Sequence, residues 1–131
     1  MPEVDFARET RRFVETFRHM GVSNPWLHRM LVGRLYYAAH HVARRVLVAV
    51  GLQPDQWRAN VHQQVLKELD SHCVATSRMT SSAWTALEQL RRLRVSADYD
   101  LTRAVRLRHV NAAVAWFDEF CDESYRILEV S

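Results

Sequence analysis

The chain is poor in the residues that punctuate structure. Among its 131 residues there are three glycines, three prolines and two cysteines. So few turn formers exclude a sandwich or barrel of many short strands, which needs a turn every several residues. Cys73 and Cys121 lie far apart with no C-x-x-C pairing, so the sequence suggests neither a disulfide scaffold nor a zinc module. Lysine is nearly absent: of eighteen basic residues only Lys67 is lysine, and the rest are arginine. There is no long apolar run either. The richest stretch, Trp26 to Leu52, is broken by Arg29, Arg34, Arg44 and Arg45 and cannot span a bilayer. The first residues, Met1-Pro2-Glu3-Val4-Asp5, have no basic and apolar regions of a signal peptide, and a soluble cytoplasmic protein is expected. No glycine-rich phosphate loop occurs, so the chain is not itself an NTPase.

What remains is helix-forming. Apolar residues make up 48% and charged residues 25%, a globular balance with room for a real core. The formal charge of +3 is a weak pointer to an anionic partner. Helical spacing predicts a first helix over about Glu3 to Met20, with Phe6, Phe13, Phe17 and Met20 on one face and Gly21 as a left-handed cap. Asn24-Pro25 marks the start of a long helix reaching Val50, where Gly51 ends it. That helix is apolar on more than one face, and Gly33, Ala38, Ala39 and Ala43 would admit a close neighbour, either inside one bundle or in a second copy.

A third helix is expected from Arg58 to Val74, with Val61, Val65, Leu66 and Leu69 inward. A fourth is capped by Ser81 or Ser82 and carries Trp84, Leu87, Leu90 and Ala97. After a turn over Asp98 to Thr102, a fifth carries Val105, Val110, Phe117, Phe120 and Cys121. The four tryptophans, Trp26, Trp57, Trp84 and Trp116, read as core anchors rather than base-stacking platforms, with Trp57, in a turn, the one expected nearest the surface. No strand alternation or internal repeat is present. The fold class is all-α, a single domain of about five helices with short connections.

Charge is concentrated late in the chain. Arg91, Arg92, Arg94, Arg103, Arg106 and Arg108 crowd the end of helix four and the start of helix five, a corner a phosphate backbone would find attractive. Composition alone favours a solvated basic face neutralised by acids such as Asp98 and Asp100. Arg94 stands apart because it follows the apolar stripe of Leu87, Leu90 and Ala97. A guanidinium there must be paired or serve a site, and Asp98 lies four residues on. His40 and His41 point to different faces and read as packing plus solvent. His62, His72 and Cys73 match no strong zinc pattern, and no metal or cofactor is implied.

Two blocks carry a family resemblance. Gly33-Arg34-Leu35-Tyr36-Tyr37-Ala38-Ala39-His40-His41-Val42-Ala43-Arg44, followed by Gly51-Leu52, resembles the long helix of HEPN domains. Leu93-Arg94-Val95-Ser96-Ala97-Asp98-Tyr99-Asp100 resembles the R-x-x-A-D-Y signature of a bacterial and archaeal HEPN subgroup. The similarity runs over 24–131, leaving 1–22 as an N-terminal helix. It implies a HEPN-like four- or five-helix bundle that forms a homodimer around a shared groove, and an RNA-directed effector of a toxin–antitoxin or antiviral defence system. Such effectors are often metal-independent endoribonucleases encoded beside an MNT-type nucleotidyltransferase. By that resemblance Arg94, Asp98 and Tyr99 are the candidate catalytic residues, and Arg91, Arg92, Arg103 and Arg106 the candidate RNA-binding ones.

The usual family signature places a histidine four to six residues after the arginine. Here residues 99 to 101 are Tyr, Asp and Leu, so that histidine is absent. Arg34 with His40 or His41, Arg103 with His109, and Arg12 with His19 satisfy related spacings, as chance allows in a chain this rich in arginine. A general base would then fall to Asp98 or water. The competing expectation is a non-catalytic helical adaptor that binds a nucleotide or docks a nucleotidyltransferase or a larger complex.

Overall fold

A computed structural model describes residues 1–21 and 24–130, which form five α-helices and no strand. They are α1 (Pro2–His19), α2 (Pro25–Ala49), α3 (Val61–Leu69), α4 (Ser81–Tyr99) and α5 (Leu107–Ile127). The expected all-α bundle is therefore present. The ends of the expected segments 1–22 and 24–131, Val22 and Ser131, lie outside the described residues.

Helix α2 is the hub, packing against α1, α3, α4 and α5, while α4 and α5 pack on each other. Part of its breadth of apolar surface is used within the chain: Ala38, Ala39 and Ala43 are wholly buried, together with Leu35, Val42, Val46 and Leu47, while Met30 and Tyr37 stay exposed. Small side chains at three positions let neighbouring helices approach the backbone closely. The helix starts where the sequence indicates, with Asn24 Oδ1 accepting from the Trp26 and Leu27 amides at 2.9 and 3.4 Å and Pro25 in the first turn. Gly21 and Gly51 take positive φ values of 66° and 97° after α1 and α2, a region glycine enters without a Cβ clash.

Several boundaries and faces differ from expectation. Helix α1 buries Val4, Ala7, Thr10 and Val14 rather than the aromatic stripe; Phe13 is 52% and Met20 64% exposed, and Phe6 is also exposed. The two stripes lie about a quarter turn apart at roughly 100° per residue. The smaller side chains win the inner face because they seat α1 close on α2, and only Phe17 of the aromatic set packs against the core. The cap of α4 is Thr80, not Ser81 or Ser82. Its backbone is extended (φ −74°, ψ 153°) and its Oγ accepts from the Ala83 amide at 3.1 Å. Glu123 of α5 in turn accepts from the Thr80 amide and hydroxyl at 2.8 and 2.6 Å, tying two helices at one end.

Helix α3 begins at Val61, three residues later than Arg58, after Asn60 in a left-handed conformation, and it closes with a π turn over Asp70–Val74. Helix α5 begins at Leu107, so Val105 is buried as part of the preceding segment rather than of the helix. Trp57, Trp84 and Trp116 are partly buried against the core, but Trp26 is 60% exposed, so it is no core anchor. Both cysteines are free and buried. Among the described residues no helix is long and apolar enough to cross a membrane.

Candidate functional site

Helices α2, α3 and α4 enclose a groove of about 830 Å³ on one side of the bundle. Helical spacing puts Tyr36, His40 and Arg44 one turn apart along α2, so all three face it. Helix α3 contributes His62, and α4 contributes Arg94 and Asp98. The histidines from the two helices meet: the rings of His40 and His62 stack with centroids 4.2 Å apart and planes inclined by 30°. The Tyr36 hydroxyl is hydrogen-bonded to His62 Nδ1 at 2.6 Å. Arg94 lies with its guanidinium carbon 5.8 Å from the Tyr36 ring centroid, while its Nε donates to Asp98 Oδ2 at 2.8 Å.

Electrostatics follow from this crowding. His40, only 4% exposed, is pushed down to about 3, first by burial and then by the charges of His62 and Arg44. His62 is also held below its ordinary 6.5 by burial, with Arg94, Arg91 and Arg44 adding to the effect. Both imidazoles are neutral at pH 7. Burial raises the Tyr36 phenol to about 12 against the opposing pull of Arg91 and Arg94.

A second arginine frames the groove from beneath. Arg29 is buried and has carbonyls as its hydrogen-bond acceptors: those of Ala97, Asp100, Leu101 and Arg103. It thereby gathers the chain leaving α4, where helix-end carbonyls have no intrahelical donor. His28 helps in the same place, its Nδ1 bonding the Val105 carbonyl at 2.8 Å. The segment from Ala97 to Val105 is thus pinned to α2, which fixes the end of α4 that carries Asp98.

The candidate residues separate accordingly. Arg94 and Asp98 line the groove and form the i,i+4 pair anticipated for them. Arg91 does not line the groove, though its charge acts on Tyr36 and His62, which do. Tyr99 is 77% exposed and points away from the core. Arg92 is held by Glu88 at 3.1 Å, Arg103 donates to Ser96 Oγ at 2.7 Å, and the Arg106 amide is capped by His109 Nδ1 at 2.8 Å; none of the three lines the groove. His62, His72 and Cys73 do not come together, since His72 pairs with Glu68 at 3.1 Å and Cys73 is buried. Among the described residues no group of three or more His, Cys, Asp or Glu is placed to hold a metal ion.

Sequence reasoning passed over Tyr36, His40 and His62 as a set. The i,i+4 spacing of the first two was visible, but nothing local joins them to His62. Against models of known protein families and against curated proteins, the chain matches none.

Proposed function

We propose that the chain binds RNA in the α2–α3–α4 groove and cleaves it by attack of a ribose 2′-hydroxyl on the adjacent phosphate. The observation that carries this reading is that Arg94 shares one groove with the His40–His62 pair. The histidine missing after Arg94 in the chain is supplied by α2 and α3. A neutral imidazole beside a guanidinium is what such chemistry uses: one takes a proton, the other stabilises the crowded anionic phosphate.

His62 is the member with access to solvent, and His40 is buried behind it. With the proton on Nδ1 directed to Tyr36, Nε2 of His62 is free to take the 2′-hydroxyl proton. The 2′-oxygen then bonds to phosphorus and the 5′-oxygen leaves, receiving a proton from the imidazolium or from water. The products are a 2′,3′-cyclic phosphate and a 5′-hydroxyl.

The resemblance to HEPN domains supplies the setting: a homodimeric effector of a prokaryotic defence or toxin–antitoxin system, with an MNT-type nucleotidyltransferase as partner. A second reading, a non-catalytic adaptor, is favoured by one contact. Asp98 already neutralises Arg94. Incubation of purified protein with varied RNAs in EDTA tests the first reading. Cleavage leaving cyclic phosphate ends, lost in Arg94→Ala and His62→Gln with unchanged melting curves, supports it. Absence of cleavage by the folded parent would replace it with the adaptor.

A further inference from the structure

One wall of the groove is apolar and carries no charge of its own. Along α2, Trp26, Met30, Gly33 and Tyr37 fall within about 60° of helical arc at 100° per residue, and all four border the groove. Trp26, Met30 and Tyr37 are each exposed although large and apolar. The two rings are nevertheless held in place. The Arg29 guanidinium, fixed by its four carbonyls, lies 5.4 Å from the Trp26 ring centroid and covers part of that ring. Tyr37 stands edge-to-face with Phe6 and His41, at 5.9 and 4.5 Å between centroids. Between them Gly33 leaves a gap: a Cβ there would meet nothing within 4 Å. Arg34, beside this stripe, lines the same groove and makes no ion pair among the described residues.

We infer that the stripe is a base-stacking platform that selects single-stranded RNA, one base on Trp26 and another on Tyr37, with the backbone passing Gly33 towards Arg34 and Arg94. This rests on the proposed RNA-binding function and adds the strand state of the substrate. Rigid, half-exposed aromatic faces beside arginines are the features that hold single strands without reading their sequence. Spacing decides against a duplex. The backbone positions of residues 26 and 37 are about 16 Å apart along the helix, far beyond the ~3.4 Å step between stacked bases. Both rings can be used at once only by non-adjacent bases splayed out of a stack.

The test uses a labelled 2′-O-methyl oligoadenylate, which lacks the attacking hydroxyl and so reports binding alone. It is compared by fluorescence anisotropy with the same backbone carrying abasic positions and with the same strand in a duplex. The intact strand is expected to bind about tenfold more tightly than either. Trp26→Leu, which removes one of the two stacking faces, should bring the strand part of the way down to the abasic affinity. Gly33→Leu, which fills the open gap on the backbone's path without touching the core, should weaken the intact and abasic strands alike. Trp26→Leu should leave the abasic affinity and the melting curve unchanged, whereas Gly33→Leu, which replaces a glycine inside α2, should raise the melting temperature.

Equal affinity of intact and abasic strands, with both lost in Arg94→Ala, would overturn the platform while leaving the groove as a phosphate site. An unchanged affinity in both Gly33→Leu and Trp26→Leu would overturn it too. A parent dimer that Gly33→Leu converts to monomer would assign the stripe to a seam between copies and overturn the inference. No binding of any probe would remove the RNA-binding reading along with it.

Discussion

Arginine does different work on the two sides of this molecule. Where α1 meets α5, Arg11 is matched by carboxylates: its Nε and Nη2 donate to the two oxygens of Asp118 at 2.8 and 3.1 Å, and its Nη1 to Glu15 at 2.7 Å. Arg18 shares Glu15 at 2.8 Å. In the groove the match is looser, although Arg44 pairs with the exposed Asp55. Arg94 has one carboxylate, Arg29 has carbonyls, and Arg34 has no ion-pair partner among the described residues. Bidentate pairing uses up the charge in joining helices. Incomplete pairing leaves positive charge facing an open volume, and it helps keep the neighbouring histidines unprotonated.

The contrast is broken most severely at Arg94. Arg94→Ala should slow RNA cleavage about a hundredfold or more, the usual cost of losing a charge that stabilises a developing anion. Because the side chain is about one-third exposed and paired within its own helix, thermal melting should move little. Single-turnover cleavage beside a melting curve checks both.

Next in size is the pH dependence of stability. His40 binds a proton near 6.5 when unfolded but only near 3 when buried, so between those values the unfolded chain holds more protons. Stability is fully present above about 6.5 and falls as the pH drops. From pH 7 to 5, where carboxylates stay charged, the loss from His40 should be about 2 kcal/mol. His62, His41 and His109 are shifted in the same direction. Urea unfolding at the two pH values measures the loss, and His40→Gln should flatten it.

On the other side, Arg11→Met should cost about 1 kcal/mol of stability, since the pair with Asp118 is bidentate but partly solvent-screened. RNA affinity should not change, which chemical denaturation and anisotropy together would show. A drop in affinity would erase the distinction between the two sides. The smallest effect sharpens it: Asp98→Asn removes the carboxylate competing for Arg94 and should tighten RNA binding by a factor of about 2 to 5. Were Asp98 the general base instead, cleavage would collapse in that variant while binding persisted.

Much of the fold is legible in the chain. The start at Asn24-Pro25, the stops at Gly21 and Gly51, and the burial of Leu87, Leu90, Phe117 and Phe120 follow from capping chemistry and helical spacing. So does the Arg94–Asp98 pair, four residues apart on one helix. Helix α1 was less transparent because two apolar stripes lie side by side on it. Which one turned inward depended on how closely α2 could approach. Thr80 outcompeted two serines as cap because Glu123, forty-three residues away, holds its amide and hydroxyl.

The sequence by itself determined what is local: five helices, their approximate ends, the small-residue face of α2 and an arginine paired within its own turn. Tertiary structure alone decided what depends on distant partners. It stacked His62 on His40, laid Arg29 beneath the carbonyls that end α4, matched Arg11 to Asp118 and left Trp26 and Tyr37 beside an open groove. The physical reason is range. Caps and i,i+4 contacts act within a few residues, whereas burial, and the charge states it imposes, belong to side chains brought together from separate helices.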